Sequence, residues 1–326
     1  MARRFRKLVA LVTLAPMLAI FAGPAHAETY PARSVRMIVP FAAAGPTDVI
    51  GRIVAQKLSE DLGQQFYVEN VPGGGGNTGT AQAAKSAADG YTILVVSTGF
   101  IINPSLYAKI PYDPFKDFAP VTLIAASPNV LTVAPSVPAK SVQELIALIK
   151  ANPGKYSFAQ PGTGSTPHLS GELFKLSFGL DLVMVPFTGA GPAITSTIGG
   201  HTPIAFTALP PALASIQEGK LRGLAVLTGK RVAGLPDVPT MAEAGVPDQE
   251  ADTLTGIVVP IGTPPEIVDL LHREIVKIVA LPDVQEKLAA LGFIAIADTP
   301  AEFAARLKSE FAKWAKVIKD AGIKTD

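Results

Sequence analysis

The feature that most constrains this chain is a unit that recurs along it: an apolar strand, a loop of small residues, and then the start of a helix. The first copy runs Met37-Ile38-Val39-Pro40-Phe41-Ala42-Ala43-Ala44-Gly45-Pro46-Thr47-Asp48. Pro46 suits the first helical position, where its missing N–H is not needed. The N–H groups that follow have no intrahelical acceptor and face the loop, which makes the helix start ready for an anion. Three further loops share the design: Gly73–Thr80, Gly162–His168 and Phe187–Pro192. In open α/β sheets ligands bind beyond the carboxyl ends of strands, where such loops lie. Two loops fall in each half of the chain, so a cleft between two domains would be lined from both sides.

The spacing of apolar residues predicts the elements around these loops. Val35–Val39 reads as a strand. Pro46–Leu62 reads as an amphipathic helix with Ile50, Ile53, Val54, Leu58 and Leu62 on one face and Gly63 as its stop. Gln65–Glu69 and Tyr91–Ser97 are strands, with a helix from about Thr78 to Ala87 between them. This alternation points to parallel sheet with helices on both faces. After Asn103 the chain becomes irregular. Two strands, Val121–Ala126 and Asn129–Val133, are then separated by Ser127-Pro128, a break expected where a chain crosses between domains. A helix over Ser141–Lys150 opens on a capping box, Ser141-x-x-Glu144. Strands follow at Ser157–Ala159, Leu182–Val185, Ile204–Thr207 and Leu224–Leu227, with helices over Pro167–Phe178 and from Ala193. Ile257–Pro260 is read as the return to the first domain. Thr263-Pro264-Pro265-Glu266 and Thr299-Pro300-Ala301-Glu302 open two helices with one signature, N-cap, Pro and Glu, and a shorter helix, Val284–Leu291, lies between them.

The N-terminus has a separate role. Arg3-Arg4-Phe5-Arg6-Lys7, an apolar run from Leu8 to Ala22 and the small-x-small Ala25-His26-Ala27 form a secretory signal, with cleavage expected after Ala27. The run is shorter than the roughly 20 residues a spanning helix needs. Removing residues 1–27 takes away four basic and no acidic residues, leaving 24 Lys+Arg against 27 Asp+Glu, a formal net charge of −3. That balance argues against nucleic acid or an anionic membrane as partner. There is no cysteine, but a chain of this length buries enough core without disulfides.

Catalytic and cofactor chemistry is poorly represented. Gly74-Gly75-Gly76-Asn77-Thr78-Gly79 matches G-x-G-x-x-G, yet the next strand ends at Ser97-Thr98-Gly99 without the carboxylate a dinucleotide site wants. Lysine-bearing phosphate loops, H-E-x-x-H, cysteine clusters and G-x-S-x-G elbows are missing, so neither cofactor nor metal is expected. His168, His201 and His272 are isolated from one another. A Ser165–His168 pair offers a nucleophile and a base but no orienting acid, and a periplasmic enzyme acting on a small carboxylate or ester in the same cleft is the alternative to a binding protein. None of the four loops carries Arg or Lys. A bound carboxylate would therefore rest on backbone N–H groups and on the hydroxyls of Thr47, Thr78, Ser165 and Thr166. Phe41 and Phe187 either cover the apolar part of a ligand or belong to the core. Asp48 either serves its helix, where the dipole favours an acid, or accepts a hydrogen bond from the ligand.

Several stretches together are specific: Val39-Pro40-Phe41 with Gly45-Pro46-Thr47-Asp48, Val68-Glu69-Asn70-Val71-Pro72-Gly73, Asp89-Gly90-Tyr91-Thr92 and Asn103-Pro104-Ser105-Leu106-Tyr107. Asp117-Phe118-Ala119-Pro120-Val121, Gly189-Ala190, Leu235-Pro236-Asp237-Val238-Pro239-Thr240 and Glu243-Ala244-Gly245 follow in order. On these the chain resembles, over nearly its whole mature length, the periplasmic solute receptors of tripartite tricarboxylate transporters, the Bug family. The resemblance implies a two-domain α/β protein of the type 2 periplasmic binding kind that closes on its ligand like a flytrap. It implies a discontinuous first domain, residues 28–127 and 254–326, and a second domain, 128–253. It further implies a monomeric, periplasmic, non-enzymatic receptor that captures a small organic acid and delivers it to the membrane subunits of a tripartite transporter. A ligand-loaded partner of a sensor protein is a further alternative. Ligand contacts carried over from the family fall on Phe41, Ala44, Gly45, Thr47 and Asp48, and on Gly164, Ser165, Thr166 and His168, with Gly189 and Ala190 adjoining. The loop reading adds Asn77, Thr78, Thr98 and Phe187.

Overall fold

The computed structural model describes residues 30–43 and 45–324; the expected signal segment and Ala44 lie outside the described residues. Two sheets organise the chain. The first takes β1 (Val35–Val39), β2 (Phe66–Asn70), β3 (Thr92–Ser97), β4 (Phe118–Ser127), β10 (Thr253–Pro260) and β11 (Ile294–Ala295), in the order β11-β4-β10-β3-β1-β2. The second takes β5 (Asn129–Val133), β6 (Ser157–Gln160), β7 (Val183–Pro186), β8 (Ile204–Ala208) and β9 (Arg222–Val226), in the order β7-β6-β8-β5-β9.

The expectation of parallel sheet is half right. Strands β1, β2 and β3 are parallel, as are β6, β7 and β8. The strands that carry the chain between sheets run the other way: β10 is antiparallel to both β3 and β4, and β5 to both β8 and β9. The reason is connectivity. Chain leaving one sheet at the end of β4 enters the other at once as β5, and the returning β10 slots between β3 and β4. Strand β10 is buried from Leu254 to Pro260, as a strand with neighbours on both edges and layers on both faces must be. The two crossings, Ser127–Asn129 and Ala251–Thr253, lie side by side: the Asn129 Nδ2 donates to the Ala251 carbonyl, and Thr253 pairs with Ser127.

Helix α1 (Pro46–Leu62) matches its expected limits and stops at Gly63 in the left-handed conformation, φ 68°. Helices α2 (Asn77–Ala84), α4 (Val142–Lys150), α5 (Thr166–Phe178), α6 (Ala190–Ile198), α8 (Pro265–Val279), α9 (Pro282–Ala290) and α10 (Pro300–Asp320) are the expected ones within a few residues. The expectation for α6 started three residues late. Two helices were not expected, α3 (Gly99–Leu106) and α7 (Leu209–Gln217).

The three capping boxes fare differently. At Thr299 the box is complete: its hydroxyl accepts from the Glu302 N–H and the Glu302 carboxylate accepts from the Thr299 N–H. At Ser141 the hydroxyl accepts from the Glu144 N–H, but the Glu144 carboxylate takes the N–H of Lys140, one residue before the cap. The box expected at Thr263 does not form. Pro264 occupies the N-cap position, and the Thr263 hydroxyl turns back to the Pro260 carbonyl at 2.7 Å.

Candidate functional site

A cleft of about 250 Å³ opens between the two sheets at the carboxyl ends of β3 and β6. The first-sheet half contributes Phe41, Gly75, Ser97, Gly99, Asn103, Leu106 and Tyr107. The second-sheet half contributes Gly162 to Pro167 in one unbroken run, and Thr253 lines it from the second crossing. No lining residue carries a charge. The donors on offer are hydroxyls, one amide and backbone N–H groups, set against the apolar faces of Phe41, Leu106 and Pro167.

The wall from the second half is built around Ser165, the N-cap of α5. Its side chain accepts from the His168 N–H at 3.4 Å, and its own N–H donates to the Gly162 carbonyl at 3.1 Å. Thr166 stands at the first helical position, where no residue of the helix lies four earlier to accept its N–H. That donor sits at the positive end of the helix dipole, in a residue that lines the cleft. Gly164, at φ +78°, takes the left-handed conformation that favours glycine, and its N–H donates to His168 Nδ1 at 3.0 Å. A side chain there would meet the Leu106 Cδ2, since a Cβ would sit 2.1 Å from it. The halves thus touch across the cleft, Leu106 against Gly164.

His168 is 1% exposed, and burial pushes its imidazole down to about 4. It is neutral at neutral pH, with Nδ1 accepting and therefore the proton on Nε2. Ser165 and His168 do not form a nucleophile–base pair: the serine hydroxyl bonds the histidine backbone, and the imidazole nitrogen facing the loop is taken by Gly164.

The opposite wall rests on α3, the unexpected helix. Pro104 lies inside it and cannot donate to the Phe100 carbonyl. The Tyr112 hydroxyl bonds that carbonyl instead, at 3.2 Å. The helix therefore tolerates its proline, and its first three apolar residues, Phe100, Ile101 and Ile102, are buried. From it Asn103 donates to the Gly75 carbonyl at 3.0 Å and to Asn77 Oδ1 at 2.7 Å, pinning the glycine turn Gly73–Gly76 against the cleft. Gly75, with φ 64°, admits the Tyr107 hydroxyl where a Cβ would lie 2.8 Å from it. Thr98, at the N-cap position of α3, ties this wall to the second crossing: its hydroxyl accepts from the Leu254 N–H at 2.8 Å and donates to the Asp252 carbonyl at 3.4 Å.

Of the residues singled out from sequence, the structure brings Phe41, Gly164, Ser165 and Thr166 to the cleft wall. Asn77, Thr98 and His168 stand directly behind it, each bonded to residues that line it or hold the lining in place. Asp48 is 1% exposed and held from two sides: Asn70 Nδ2 donates to its Oδ1 at 2.8 Å and Arg52 Nε to its Oδ2 at 2.9 Å. Asn70 also donates to the Phe41 carbonyl at 3.0 Å. Asp48 thus fixes the first loop to β2, while Gly45 and the buried Thr47 form the start of α1 away from the cleft lining. Thr78 is exposed and folds over Gly73. Phe187 packs on Ala159, Ala193 and Ala205, and neither it nor Gly189 nor Ala190 lines the cleft. Sequence reasoning did not single out Gly75, Ser97, Gly99, Asn103, Leu106, Tyr107, Gly162, Thr163, Pro167 and Thr253 as contacts. The Asn103–Tyr107 stretch was visible as a motif; its helix was hidden by Pro104.

Two α/β halves joined by paired crossings, with an uncharged, donor-lined cleft between them, define a bilobal solute-binding protein. The chain belongs to the tripartite tricarboxylate transporter family of receptors: the model of that family, described as "Tripartite tricarboxylate transporter family receptor", matches residues 50–323. It is 39% identical over 320 residues to Protein BugT of Bordetella pertussis, covering 98% of each chain. Among solved structures, Rpa4515 of R. palustris with adipate is 36% identical with a TM-score of 0.79, over 91% of this chain and 100% of that one. MatC from Rhodopseudomonas palustris with bound malate is 30% identical with a TM-score of 0.74, over 89% of this chain and 100% of that one. Among the described residues no helix is long and apolar enough to cross a membrane.

Proposed function

We propose that this protein is a periplasmic receptor that captures a small organic carboxylate in the cleft between its sheets and delivers it to the membrane subunits of a tripartite transporter. It works as a monomer without cofactor or metal, after export and cleavage following Ala27. The observation that carries the reading is the composition of the cleft: uncharged, with apolar faces beside the unfilled N–H of Thr166 and the hydroxyls of Ser97, Thr163, Ser165 and Thr253. Such donors hold a carboxylate at little side-chain entropy cost, and the α5 dipole favours its charge. Adipate and malate in two relatives support the same ligand class.

The receptor halves follow sheet membership, with residues 28–127 and 254–326 as one domain and 128–253 as the other, and closure turns on the crossings near Pro128 and Thr253. Phe41, Asn103, Ser165 and Thr166 are assigned direct contacts. Gly45, Thr47, Asp48, Asn77, Thr98 and His168 are assigned the work of holding those contacts in place. The protein is not an enzyme on this reading, because the bonds made by Ser165 and His168 leave neither poised for chemistry. A thermal-shift screen of mono-, di- and tricarboxylates, aromatic acids and amino acids tests it. A ligand at about 100 times its Kd stabilises by roughly 2.7 kcal/mol, a rise of several degrees. A broad panel with no active acid refutes the reading.

A further inference from the structure

The two crossings form a buried seam in which polar atoms are poorly bonded. Among the described residues, Ser127 Oγ, Asn129 Oδ1, Asp252 Oδ1 and Arg306 Nε are buried without a hydrogen-bond partner. The first three lie on the crossings, and Arg306 faces Asp252 from α10. Buried polar atoms are ordinarily bonded, so four in one seam mark a place whose packing is not at its own optimum.

Asp252 is the member of the crossings that can gain or lose a proton. Its side chain is 12% exposed, and its Oδ2 lies 4.0 Å from Arg306 Nη2, too far for a hydrogen bond. Arg306 is shared: its Nε is 3.6 Å from Glu310 Oε1. Glu310 in turn takes Lys313 at 2.9 Å and the Trp314 indole N–H at 2.8 Å, and Lys313 donates to the Glu250 carbonyl. The groups facing Asp252 are therefore Arg306, Glu310 and Lys313 from α10 and Glu250 from its own segment, with Asp298 facing Arg306 from just before that helix. Two cations and two carboxylates nearly cancel, and burial is left to decide. It pushes the Asp252 carboxyl up to about 7. On the cleft side, the Asp252 carbonyl accepts from Thr98, which starts α3, and the next residue, Thr253, lines the cleft.

We propose that Asp252 is a positioning residue for ligand capture: uncharged, it keeps the crossings packed and the cleft walls together, and its ionisation loosens them. The proposal rests on the receptor reading for its link to binding, but its conformational half stands without any ligand. An ionised carboxylate gains from any rotation that brings water to it. The sign follows from the protons bound. The packed arrangement holds the Asp252 proton up to about pH 7, while a hydrated arrangement releases it near the ordinary 3.8. Between those values the packed arrangement binds the extra proton, so it is favoured as pH falls from 7 and loses that advantage as pH rises to 7, reaching a plateau above.

The test uses the absence of cysteine from the chain. Spin labels on Lys85→Cys and Thr195→Cys, exposed positions in the two halves, report the distance between halves in the full mature protein without ligand. The expected result is a longer distance at pH 7.5 than at pH 5.5, and a pH-independent distance when Asp252→Asn is added; Asp252→Ser provides a second uncharged variant. A distance that ignores pH, or that moves equally with and without Asp252, overturns the proposal whether or not any acid binds. With adipate as probe, the ratio of Kd in the wild type to Kd in Asp252→Asn should rise by about tenfold between pH 5.5 and 7.5. The ratio cancels ionisation of the ligand, and a constant ratio together with a shifting distance would overturn the link to binding alone.

Discussion

Two residues set the character of the cleft, and each makes a prediction. Gly164 combines a left-handed backbone with direct contact to Leu106. Gly164→Ala should lower the melting temperature and weaken ligand binding, since the backbone strain alone costs about 1 kcal/mol and the added methyl displaces Leu106. Adding Leu106→Ala should relieve the steric part of the loss and leave the strain, a pattern that paired melting curves of the four proteins would reveal. His168 is buried as a neutral imidazole at about 4. Its folded value lies below the ordinary 6.5, so the unfolded chain binds the extra proton between those values and stability contributed by neutral His168 is lost as pH falls through that window. The contribution from pH 7 to pH 5 is about 2 kcal/mol. Because Asp252 acts with the opposite sign over the same range, it is read as the difference between denaturant curves of wild type and His168→Gln. Equal pH slopes in the two would remove His168 from the account.

Among the elements, α3 shows where sequence reasoning stopped. The strand Val35–Val39 and the helix Pro46–Leu62 were legible to the residue because the apolar run, Pro46 and Gly63 all agree with the tertiary structure. Helix α3 was not, because Gly99 and Pro104 argue locally against a helix. What overrides them is not local: Phe100, Ile101 and Ile102 are buried, and the Phe100 carbonyl freed by Pro104 finds the hydroxyl of Tyr112, twelve residues further on. Most of the missed cleft residues sit on this helix or touch it, so one hidden element concealed one wall of the site. The other wall was legible, since Gly162–His168 stands out in the sequence as a loop of small and hydroxyl residues opening onto a helix. Tyr112→Phe should destabilise by about 1–3 kcal/mol, the usual cost of leaving a buried acceptor unpaired. It should weaken ligand binding beyond that by loosening Asn103. Thr299→Ala, which removes the complete capping box of α10, should cost about 1 kcal/mol and leave affinity unchanged at fixed pH. Equal effects of the two substitutions on binding would mean that α3 has no special part in the site.

At the scale of the whole molecule, one chain passes twice between sheets, and the antiparallel strands β5 and β10 are the trace of those passages. The cleft, the Thr98 clasp and the Asp252 seam all lie against the second crossing, which joins the cleft lining to the packing between the sheets in one mechanical unit. The Asp48–Arg52–Asn70 cluster is the corresponding brace on the first loop. Asp48 drew attention in the sequence as an acid at a helix start otherwise suited to an anion. Its bonds to Arg52 and Asn70 neutralise that conflict, and in the proposed function the anion falls to the other jaw. The central claim is that this other jaw, the start of α5, holds the ligand carboxylate through the backbone of Thr166. Calorimetric titration of the strongest acid from the screen into wild type, Thr166→Val and Thr166→Pro tests it most directly. Valine keeps the N–H, whereas proline at the first helical position removes it with little cost to the helix. A hydrogen bond to a charged group is worth about 1.5–3 kcal/mol, so Thr166→Pro should bind roughly ten- to a hundredfold more weakly than Thr166→Val. Equal affinities in two equally well folded variants would contradict the account.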